Sequence, residues 1–271
     1  MLLELGALTR REFIKIARNP QAIFTALVLP LLYLLLFGQG FNIVPPPGEI
    51  DYWFRGAPNY YSSFAAGMTG FVAVTATLFI GANVIFDKLF GIFKRTRGSP
   101  APSTAVFGSR LIAGSAQPIL LAFFVLGLAL LFEHVPGLSG LQVTATVTVL
   151  GGIEIVVAIV LLSLMFATLF LTFGILLEVP QVYFAVVNLI NLPVLLTSDA
   201  LYPWGGMPPW LQNASQYNPV SLAVNVIREV LFGAAQYPYP PEIYLAGLAA
   251  WTIALASLAI VLVRRALRPI E

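Results

Sequence analysis

Long apolar runs separated by short polar stretches make up most of the 271-residue chain. A helix needs about 20 predominantly apolar residues to cross a bilayer, and six of the runs approach or exceed that length. The pattern predicts an all-α membrane protein with six transmembrane helices, at 21–41, 59–85, 106–132, 142–176, 181–197 and 239–263. The fourth run is longer than one span requires, and since no break divides it we expect one long helix that partly leaves the bilayer.

The amino-terminal segment 1–19 has a different pattern, with apolar side chains on one arc of a helix and Arg11, Lys15 and Arg18 on the opposite arc. This period is typical of an amphipathic helix, and we predict one over 1–19 that lies on the membrane surface. The alternative is a positively charged flank that only orients the first span. The pattern is compatible with both interpretations.

A basic stretch at 86–102 separates the second and third predicted spans. A Lys or Arg side chain in the middle of the hydrocarbon costs about 2.5 to 3.5 kcal/mol, so this stretch must lie at a membrane surface. Apolar side chains recur at helical spacing there, at Phe86, Leu89, Phe90 and Phe93. The spacing predicts an amphipathic helix on a cytosolic loop, which either inserts its aromatic side chains into a groove on a partner protein or floats in the headgroup layer.

The distribution of cations sets the orientation. Of the 14 lysines and arginines, only Arg55 and Arg228 fall on the predicted outer side. Because basic loops stay on the cytoplasmic side, we expect a multi-pass protein of the cytoplasmic membrane with both termini in the cytoplasm. An arrangement with five spans would place the arginines at 264, 265 and 268 outside, against this rule.

Composition excludes several classes of function. Hydrophobic residues make up 59% of the chain and charged residues only 10%, whereas soluble domains have about 25% charged residues. A net charge of +2 is too small to suggest nucleic-acid binding. The absence of cysteine and the single histidine, His134, remove thiolate and paired-imidazole metal sites. We find no catalytic constellation and no G-x-x-x-x-G-K-[ST] loop, so we do not expect this chain to bind ATP by that means.

The segment 198–233 is rich in proline, glycine and tryptophan and cannot be a spanning helix. Backbone of this kind is tolerated at membrane depth only where it is buried in protein or lines a cavity. We therefore predict a re-entrant pair of short helices at the outer face. Asn218 and Pro219 begin the second of them, on which Arg228 is isolated from the other side chains of interest.

Three polar residues inside the predicted spans are candidates for lining a path taken by a transported molecule. Glu154 lies in an apolar run, where carboxylates are usually functional; alternatively it is hydrated or hydrogen-bonded to Thr146 or Thr148. Asn188 and Asn191 lie three residues apart on the fifth span. They either bond to a neighbouring helix or face the path.

Motifs along essentially the whole chain resemble the permease subunits of ABC-2 type exporters. The most specific part lies between the fifth and sixth spans, at Pro193, Ser198, Tyr202, Pro203, Pro209, Trp210, Leu211, Asn218, Pro219, Arg228 and Gly233. The amphipathic amino-terminal helix ending in Arg18, Asn19 and Pro20 is a second match. The loop after the second span is similar to the family's coupling helix, although Asp87 stands where the family more often has glutamate. The resemblance assigns contact with an ATPase to Asp87, Lys88, Leu89, Phe90, Gly91, Phe93, Lys94 and Arg95.

The resemblance implies a half-transporter. Two six-span subunits, identical or merely related, would pair, each seated on a separate cytosolic nucleotide-binding ATPase, so that the complex contains two ATPase copies. ATP and magnesium would bind to that partner, and this chain would carry no cofactor; membrane lipid is its other expected partner. The short outer loop looks like the branch that exports drugs, nodulation factors and polysaccharides, so the cargo would be a drug, a lipid or a lipid-linked glycan.

Two other classes of function are weighed against this one. A secondary transporter would need ion-coupling carboxylates or broken helices paired in two halves, and the sequence has no evident inverted repeat. A structural membrane subunit without ATP coupling explains the spans but not the amphipathic cytosolic loop.

Overall fold

The structure is a computed structural model that describes residues 20–41, 43–91, 103–233 and 237–266, together with 6, 9–11, 14 and 18. Its helices are α1 (Pro20–Leu32), α2 (Ile50–Phe54), α3 (Tyr60–Thr75), α4 (Leu78–Leu89), α5 (Ser103–Phe132), α6 (Val149–Leu176), α7 (Pro180–Leu196), α8 (Pro209–Tyr217), α9 (Pro219–Phe232) and α10 (Pro241–Ala266). No strand occurs within these ranges. The predicted all-α class is confirmed for this part of the chain.

Among the described residues, four stretches of helix are long and apolar enough to cross a membrane, at Tyr60–Leu89, Phe107–Phe132, Val149–Leu176 and Pro241–Val263. The first joins α3 to α4, and the others lie in α5, α6 and α10. Two shorter apolar helices, Leu27–Gly40 and Pro180–Leu196, coincide with the first and fifth predicted spans. The chain is a multi-pass membrane protein, and the number of six spans stays a prediction.

The predicted amino-terminal amphipathic helix falls mostly outside the described residues. Residues 6, 9–11 and 14 are helical, and the backbone N–H of Arg18 donates to the carbonyl of Ile14 at 3.0 Å. Helix α1 follows and contains Pro30, which lacks the N–H that a helix interior uses. Just beyond it the helix widens into a π turn at Tyr33–Phe37. Proline and π turns are two of the recognised causes of irregular helices, and here they adjoin.

Helix α6 begins later than the sequence suggested. The prediction had one helix over 142–176, but the helix starts at Val149, where the side chain of Thr148 accepts a hydrogen bond from the N–H of Gly151 at 3.0 Å. The residues before it, Gln-Val-Thr-Ala-Thr-Val-Thr, are rich in β-branched side chains, which lose rotamer freedom in a helix and favour extended backbone. The apolar run is therefore a helix preceded by a non-helical segment.

This non-helical segment at 141–148 is held by hydrogen bonds to distant parts of the chain. The N–H groups of Thr144 and Ala145 both donate to the carbonyl of Leu231 at 3.1 Å. The N–H of Gln142 donates to the hydroxyl of Ser62 at 3.1 Å. These bonds satisfy backbone groups that a helix would have paired internally, and they fasten the segment to the ends of α9 and α3.

Helix α6 occupies the centre of the molecule and packs against α3, α4, α5, α9 and α10. Its approach to α4 is especially close, because a Cβ atom added to Gly174 would lie only 2.5 Å from the carbonyl oxygen of Gly81. Helix α7 is joined to the same region by the hydroxyl of Tyr183, which donates to the carbonyl of Leu78 at 2.6 Å. Small residues thus allow helix backbones to meet directly, as membrane helices often do.

Helices α9 and α10 differ sharply in burial. Every residue of α9 from Val220 to Phe232 is buried, although the helix is too short to span a bilayer. By contrast, only 11% of the most apolar stretch of α10 is buried, against 67% for α6. Helix α9 is therefore enclosed between α3, α6 and α10, and α10 lies at the periphery of the described molecule.

Candidate functional site

The residues predicted to contact an ATPase begin at the end of α4. Asp87, Lys88 and Leu89 belong to this helix, which is capped at Phe90. Gly91 follows with a φ of 71°, a value that residues with a side chain rarely adopt, so the chain turns away from the helix axis there. Phe93, Lys94 and Arg95 lie outside the described residues, as does most of the predicted coupling helix at 86–102.

Two of these residues bind their own chain rather than pointing outward. The carboxylate of Asp87, which is only 4% exposed, pairs with the guanidinium of Arg110 on α5 at 2.8 Å. The Nζ of Lys88 donates to the carbonyls of Ile175 and Leu177 at 2.6 and 2.8 Å. Carbonyls at a helix carboxyl end lack intrahelical partners, and a cation there is favourable, so Lys88 caps α6. Asp87 therefore joins the end of α4 to α5, and Lys88 joins it to the end of α6.

The apolar residues at the same end of α4 are exposed. The exposed fraction is 41% for Phe86, 59% for Leu89 and 74% for Phe90. Their spacing places them along one side of the helix end, as the sequence predicted. This end of α4 therefore combines an inward ionic side with an outward aromatic and aliphatic side.

At the other end of the bundle, Arg228 and Asp199 form a buried ion pair. Nη1 of Arg228 lies 3.1 Å from Oδ2 of Asp199, and its Nη2 donates to the backbone carbonyls of Asp199 and Ser63 at 2.9 and 3.0 Å. The two side chains are 2% and 0% exposed. The expectation that Arg228 stands isolated is wrong: this one side chain connects α9 to α3 and to the segment after α7.

A second arginine approaches the same carboxylate. Nη1 of Arg55 lies 3.7 Å from Oδ2 of Asp199, and its guanidinium stacks on the ring of Trp204 at 3.6 Å from the centroid. Arg55 caps α2 with a φ of 50°, a left-handed conformation that costs a non-glycine residue about 1 kcal/mol or more. The hydroxyl of Tyr237 donates to its backbone carbonyl at 3.0 Å, and burial raises the pKa of this phenol, so it stays protonated.

Sequence reasoning missed Asp199. It lies in a segment of turn-forming residues, and neither periodicity nor a motif distinguished it. A usable signal was nevertheless present in the charge distribution, because Arg55 and Arg228 were the two cations on the predicted outer side. Buried cations need a carboxylate partner, and Asp199 is the acid that the chain supplies between the fifth span and α9.

Asn218 joins α7 to α9, the second helix of the predicted re-entrant segment. Its Oδ1 accepts from the N–H of Val220 at 2.8 Å, which caps α9. Its Nδ2 donates to the carbonyl of Val194 at 2.6 Å and to the hydroxyl of Thr197 at 3.0 Å. Asn218 therefore begins α9, as the sequence predicted, and it also fixes this start against the end of α7.

The other residues of the predicted motif have simpler positions. Pro209 and Pro219 occupy the first turns of α8 and α9, where a missing N–H costs nothing. Pro203 precedes a short 3-10 turn at Trp204–Gly206, and Pro193 lies within α7. Tyr202 and Trp210 are exposed, Trp210 to 67%. These two aromatic residues are free to contact lipid or a partner.

The candidates for a transport path do not converge on one place. Asn188 is exposed on α7, whereas Asn191 is buried and its Oδ1 has no hydrogen-bond partner among the described residues. Glu154, on α6, is half-buried and interacts electrostatically with Glu229 and Glu242. Thr148, one of its suggested partners, instead caps α6 through Gly151.

Glu229 is the most buried of these three carboxylates, with 6% of its surface exposed. Burial, together with the neighbouring charges of Glu242 and Glu154, raises its pKa to about 7. Desolvation and like charges both disfavour the ionised form of a carboxyl group. No cluster able to hold a metal ion occurs within the described part of the chain.

Comparison with known proteins adds evidence from the sequence. A family model described as ABC-2 type transporter matches residues 4–232. A "Putative transport permease ycf38" from Porphyra purpurea is 30% identical over 229 residues, which cover 84% of this chain and 73% of that protein. A "Probable doxorubicin resistance ABC transporter permease protein DrrC" from Mycobacterium tuberculosis is 24% identical, covering 83% of this chain and 75% of its own. A "Daunorubicin resistance ABC transporter permease protein DrrB1" from Streptomyces coeruleorubidus is also 24% identical, covering 80% and 71%.

Proposed function

The chain belongs to the ABC-2 type transporter family, and from this premise we propose that it is the permease half of an ATP-driven exporter. It would move a hydrophobic or amphiphilic cargo outward across the cytoplasmic membrane. Two permease subunits, identical or related, would sit on two copies of a cytosolic ATPase, which binds the ATP and magnesium.

The observation that carries the proposal is the match over 4–232 together with two relatives whose names specify doxorubicin and daunorubicin resistance. Those two compounds are amphiphilic and aromatic. They support a drug as cargo, while a lipid or a lipid-linked glycan fits the same apolar helices. Doxorubicin is therefore a suitable first probe.

The end of α4 is the proposed contact with the ATPase. Phe86, Leu89 and Phe90 are exposed there, and an exposed apolar ridge beside a basic loop suits a groove on a soluble partner. Lys88 and Asp87 support this ridge from behind by bonding to the ends of α6 and α5. In this proposal the ridge receives the motion of the ATPase, and the two polar residues transmit it to the bundle.

An uncovered face of α7 is the proposed contact with the second permease or with the cargo. Exposed residues recur on it at helical spacing, at Gln181, Val182, Ala185, Asn188, Leu189, Leu192 and Leu196. An amide such as that of Asn188 is unfavourable in hydrocarbon, so this face is better placed against protein or a polar path than against lipid.

The test uses the permease with its cognate ATPase in inside-out membrane vesicles. We expect the two proteins to co-purify and the vesicles to take up doxorubicin when ATP is supplied. Uptake driven by a proton gradient without ATP would instead identify a secondary transporter. Co-purification without any ATP-dependent transport of drugs, lipids or glycolipids would favour a structural subunit.

The contact with the ATPase is tested by changing Phe90 and Phe93 to Ala. The variant should lose ATPase binding and transport but still insert in the membrane. The matched control is Phe124→Ala on α5, which removes a ring that is 48% exposed far from this end. Normal coupling in the double variant would refute the docking role.

Orientation and path are tested separately. A cysteine introduced near residue 92 should be protected from an impermeant reagent in intact cells and react in inside-out vesicles. For the path, Glu154→Gln should weaken export of cationic doxorubicin; unchanged export would assign Glu154 a structural role.

A further inference from the structure

A groove of about 480 Å³ runs between α9 and α10. Its floor is formed by Leu222 and by small residues of α10, including Gly247, Ala250 and Ala254. From Ile243 to Ala254 the lining follows twelve residues of helix, a length of about 16 Å at the rise of an α-helix. The groove is thus elongated and apolar, with room for a polar group and part of one acyl chain.

One region of the groove is polar. Arg55, Asn225 and Tyr244 line it, and each is buried, with exposed fractions of 4%, 2% and 4%. Two of them also have a buried atom without a hydrogen-bond partner among the described residues, Nε of Arg55 and Oδ1 of Asn225, and the hydroxyl of Tyr244 lies beside the backbone of Tyr239. An unpaired buried polar group costs about 1 to 3 kcal/mol, so two of them from two elements indicate that a ligand completes the bonding.

The charge at this region favours an anion. Arg55 and Arg228 share the carboxylate of Asp199. The other acid that interacts with Tyr244, Glu229, has a pKa raised to about 7, so its charge only partly offsets that of the second arginine. Arg228 is well bonded, whereas Arg55 reaches the carboxylate only at 3.7 Å. A phosphate or carboxylate oxygen near Arg55 would accept from its Nε and supply the missing charge.

The position of the groove identifies the source of that anion. It opens beside α10, the least buried of the apolar spans, and a membrane protein is surrounded by lipid on such a face. Tyr217 and Trp251 flank the groove, and the indole N–H of Trp251 donates to the carbonyl of Tyr217 at 3.2 Å, which holds the two walls together. The polar region at Arg55, Asn225 and Tyr244 suits the headgroup of a lipid. The apolar part of the groove along α10 suits its acyl chain.

We propose that this groove binds one membrane phospholipid. Its phosphate accepts hydrogen bonds from Arg55 and Tyr244, and an acyl chain lies along α10 past Gly247 and Ala250. Because Oδ1 of Asn225 needs a donor, the site favours a headgroup that carries a hydroxyl or an ammonium group, such as phosphatidylglycerol or phosphatidylethanolamine, over phosphatidylcholine. The inference goes beyond transport, since it concerns a face distinct from α7 and stands whatever the cargo is.

The experiment uses the full chain in nanodiscs of equal parts phosphatidylglycerol and phosphatidylcholine, with native mass spectrometry counting the lipids that stay bound. We expect one phosphatidylglycerol per chain. Ala250→Trp should fill the channel and lower retention about tenfold or more, the equivalent of losing one good contact. The matched control, Ala246→Trp, places the same ring on an exposed part of α10 that does not line the groove and should retain lipid normally.

Further arms separate the headgroup from other anions. Tyr244→Phe should reduce the preference for phosphatidylglycerol over phosphatidylcholine, because one donor to the phosphate is lost. Inorganic phosphate should not displace the lipid, and neither should doxorubicin. Displacement of the lipid by phosphate would show a simple anion site, and displacement by doxorubicin would show that the groove is part of the cargo path. Normal lipid retention in Ala250→Trp would show that the lipid binds elsewhere. Each of these three results overturns the proposal.

Discussion

The guanidinium of Arg228 contacts both the carboxylate of Asp199, at 3.1 Å, and the backbone carbonyl of Asp199, at 2.9 Å. One guanidinium thereby fixes the side chain and the main chain of the same residue. Since Asp199 lies in the irregular segment after α7 and Arg228 on the buried helix α9, the pair determines how these two parts of the re-entrant region fit together. A third bond, to the carbonyl of Ser63, extends the junction to α3.

Replacing the acid of this pair should destabilise the protein strongly. Asp199→Asn keeps the shape but leaves two buried guanidiniums without a counter-charge, and removing one partner of a buried pair costs about 3 to 5 kcal/mol. We expect a large fall in the melting temperature of the detergent-solubilised protein. Asp51→Asn, which neutralises an exposed carboxylate, should change it little.

The double variant Asp199→Asn, Arg228→Gln sharpens this prediction. If the two residues stabilise each other directly, the double variant should lose less stability than the sum of the single variants. Additive losses would show that the pair is not coupled as the distances suggest.

Stability should depend on the pH through Glu229. Its pKa rises from an ordinary value of 4.5 to about 7 in the folded protein, so the folded state holds the proton more tightly than the unfolded state. The contribution of this residue is then most favourable below pH 4.5 and declines as the pH rises toward 7, after which it is constant. Glu229→Gln should therefore raise the melting temperature at pH 8 much more than at pH 4.5.

The control for this experiment is Glu178→Gln, which removes an exposed carboxylate. Because this side chain is exposed, the substitution should change the melting temperature little. An effect of Glu229→Gln that does not vary with pH would mean that the pKa of this carboxyl group is the same in the folded and the unfolded protein.

Lys88 should stabilise the junction of α4 with α6. Lys88→Met keeps much of the apolar stem but removes two hydrogen bonds from a charged donor to the carbonyls of Ile175 and Leu177. A loss of about 2 kcal/mol is expected, since bonds of this kind contribute about 1.5 to 3 kcal/mol each and water replaces part of them. Hydrogen exchange at the end of α6 should rise. Arg11→Met, which removes an exposed cation, should leave that exchange unchanged.

Asn188 should matter for transport and not for folding. Asn188→Leu replaces the amide of Asn188 on the exposed face of α7 with an apolar side chain, which lipid would tolerate well. If that face meets a partner or the cargo, ATP-dependent uptake of doxorubicin should fall several-fold. The free energy of unfolding should stay within about 1 kcal/mol of the wild-type value. Leu189→Ala, next to it and 75% exposed, provides the comparison for a change of apolar volume alone. Undiminished uptake would place Asn188 against lipid.

Hydrophobic periodicity predicted the class of the fold well, because a bilayer restricts a chain to a few solutions. The apolar runs at 106–132 and 239–263 each became one helix with similar bounds, and the run at 59–85 became the two joined helices α3 and α4. The start of α6 was predicted too early, since hydropathy does not distinguish a helix from a non-helical segment rich in Val and Thr. The β-branched residues of 142–148 were the signal that could have separated this segment from the helix.

The polar contacts were harder to predict than the helices. Lys88 and Phe90 are two residues apart, and the sequence could not show that one turns inward to cap α6 and the other outward. Asp199 pairs with an arginine 29 residues away and approaches another 144 residues away in the opposite direction. Such contacts depend on how helices are arranged in three dimensions, which one sequence does not specify through local patterns. Asn218, whose bonds reach only as far as α7, was correctly placed at the start of α9.

Gly81 and Gly174 bring α4 and α6 so close that no side chain lies between them at that point. Side chains at a looser contact can change rotamer and absorb a displacement. Two main chains in direct contact have no such slack. A displacement of the ridge at Phe90 should therefore tilt α4 as a rigid body about its contact between Gly81 and Gly174. The tilt should carry the displacement directly to α6 at the centre of the bundle.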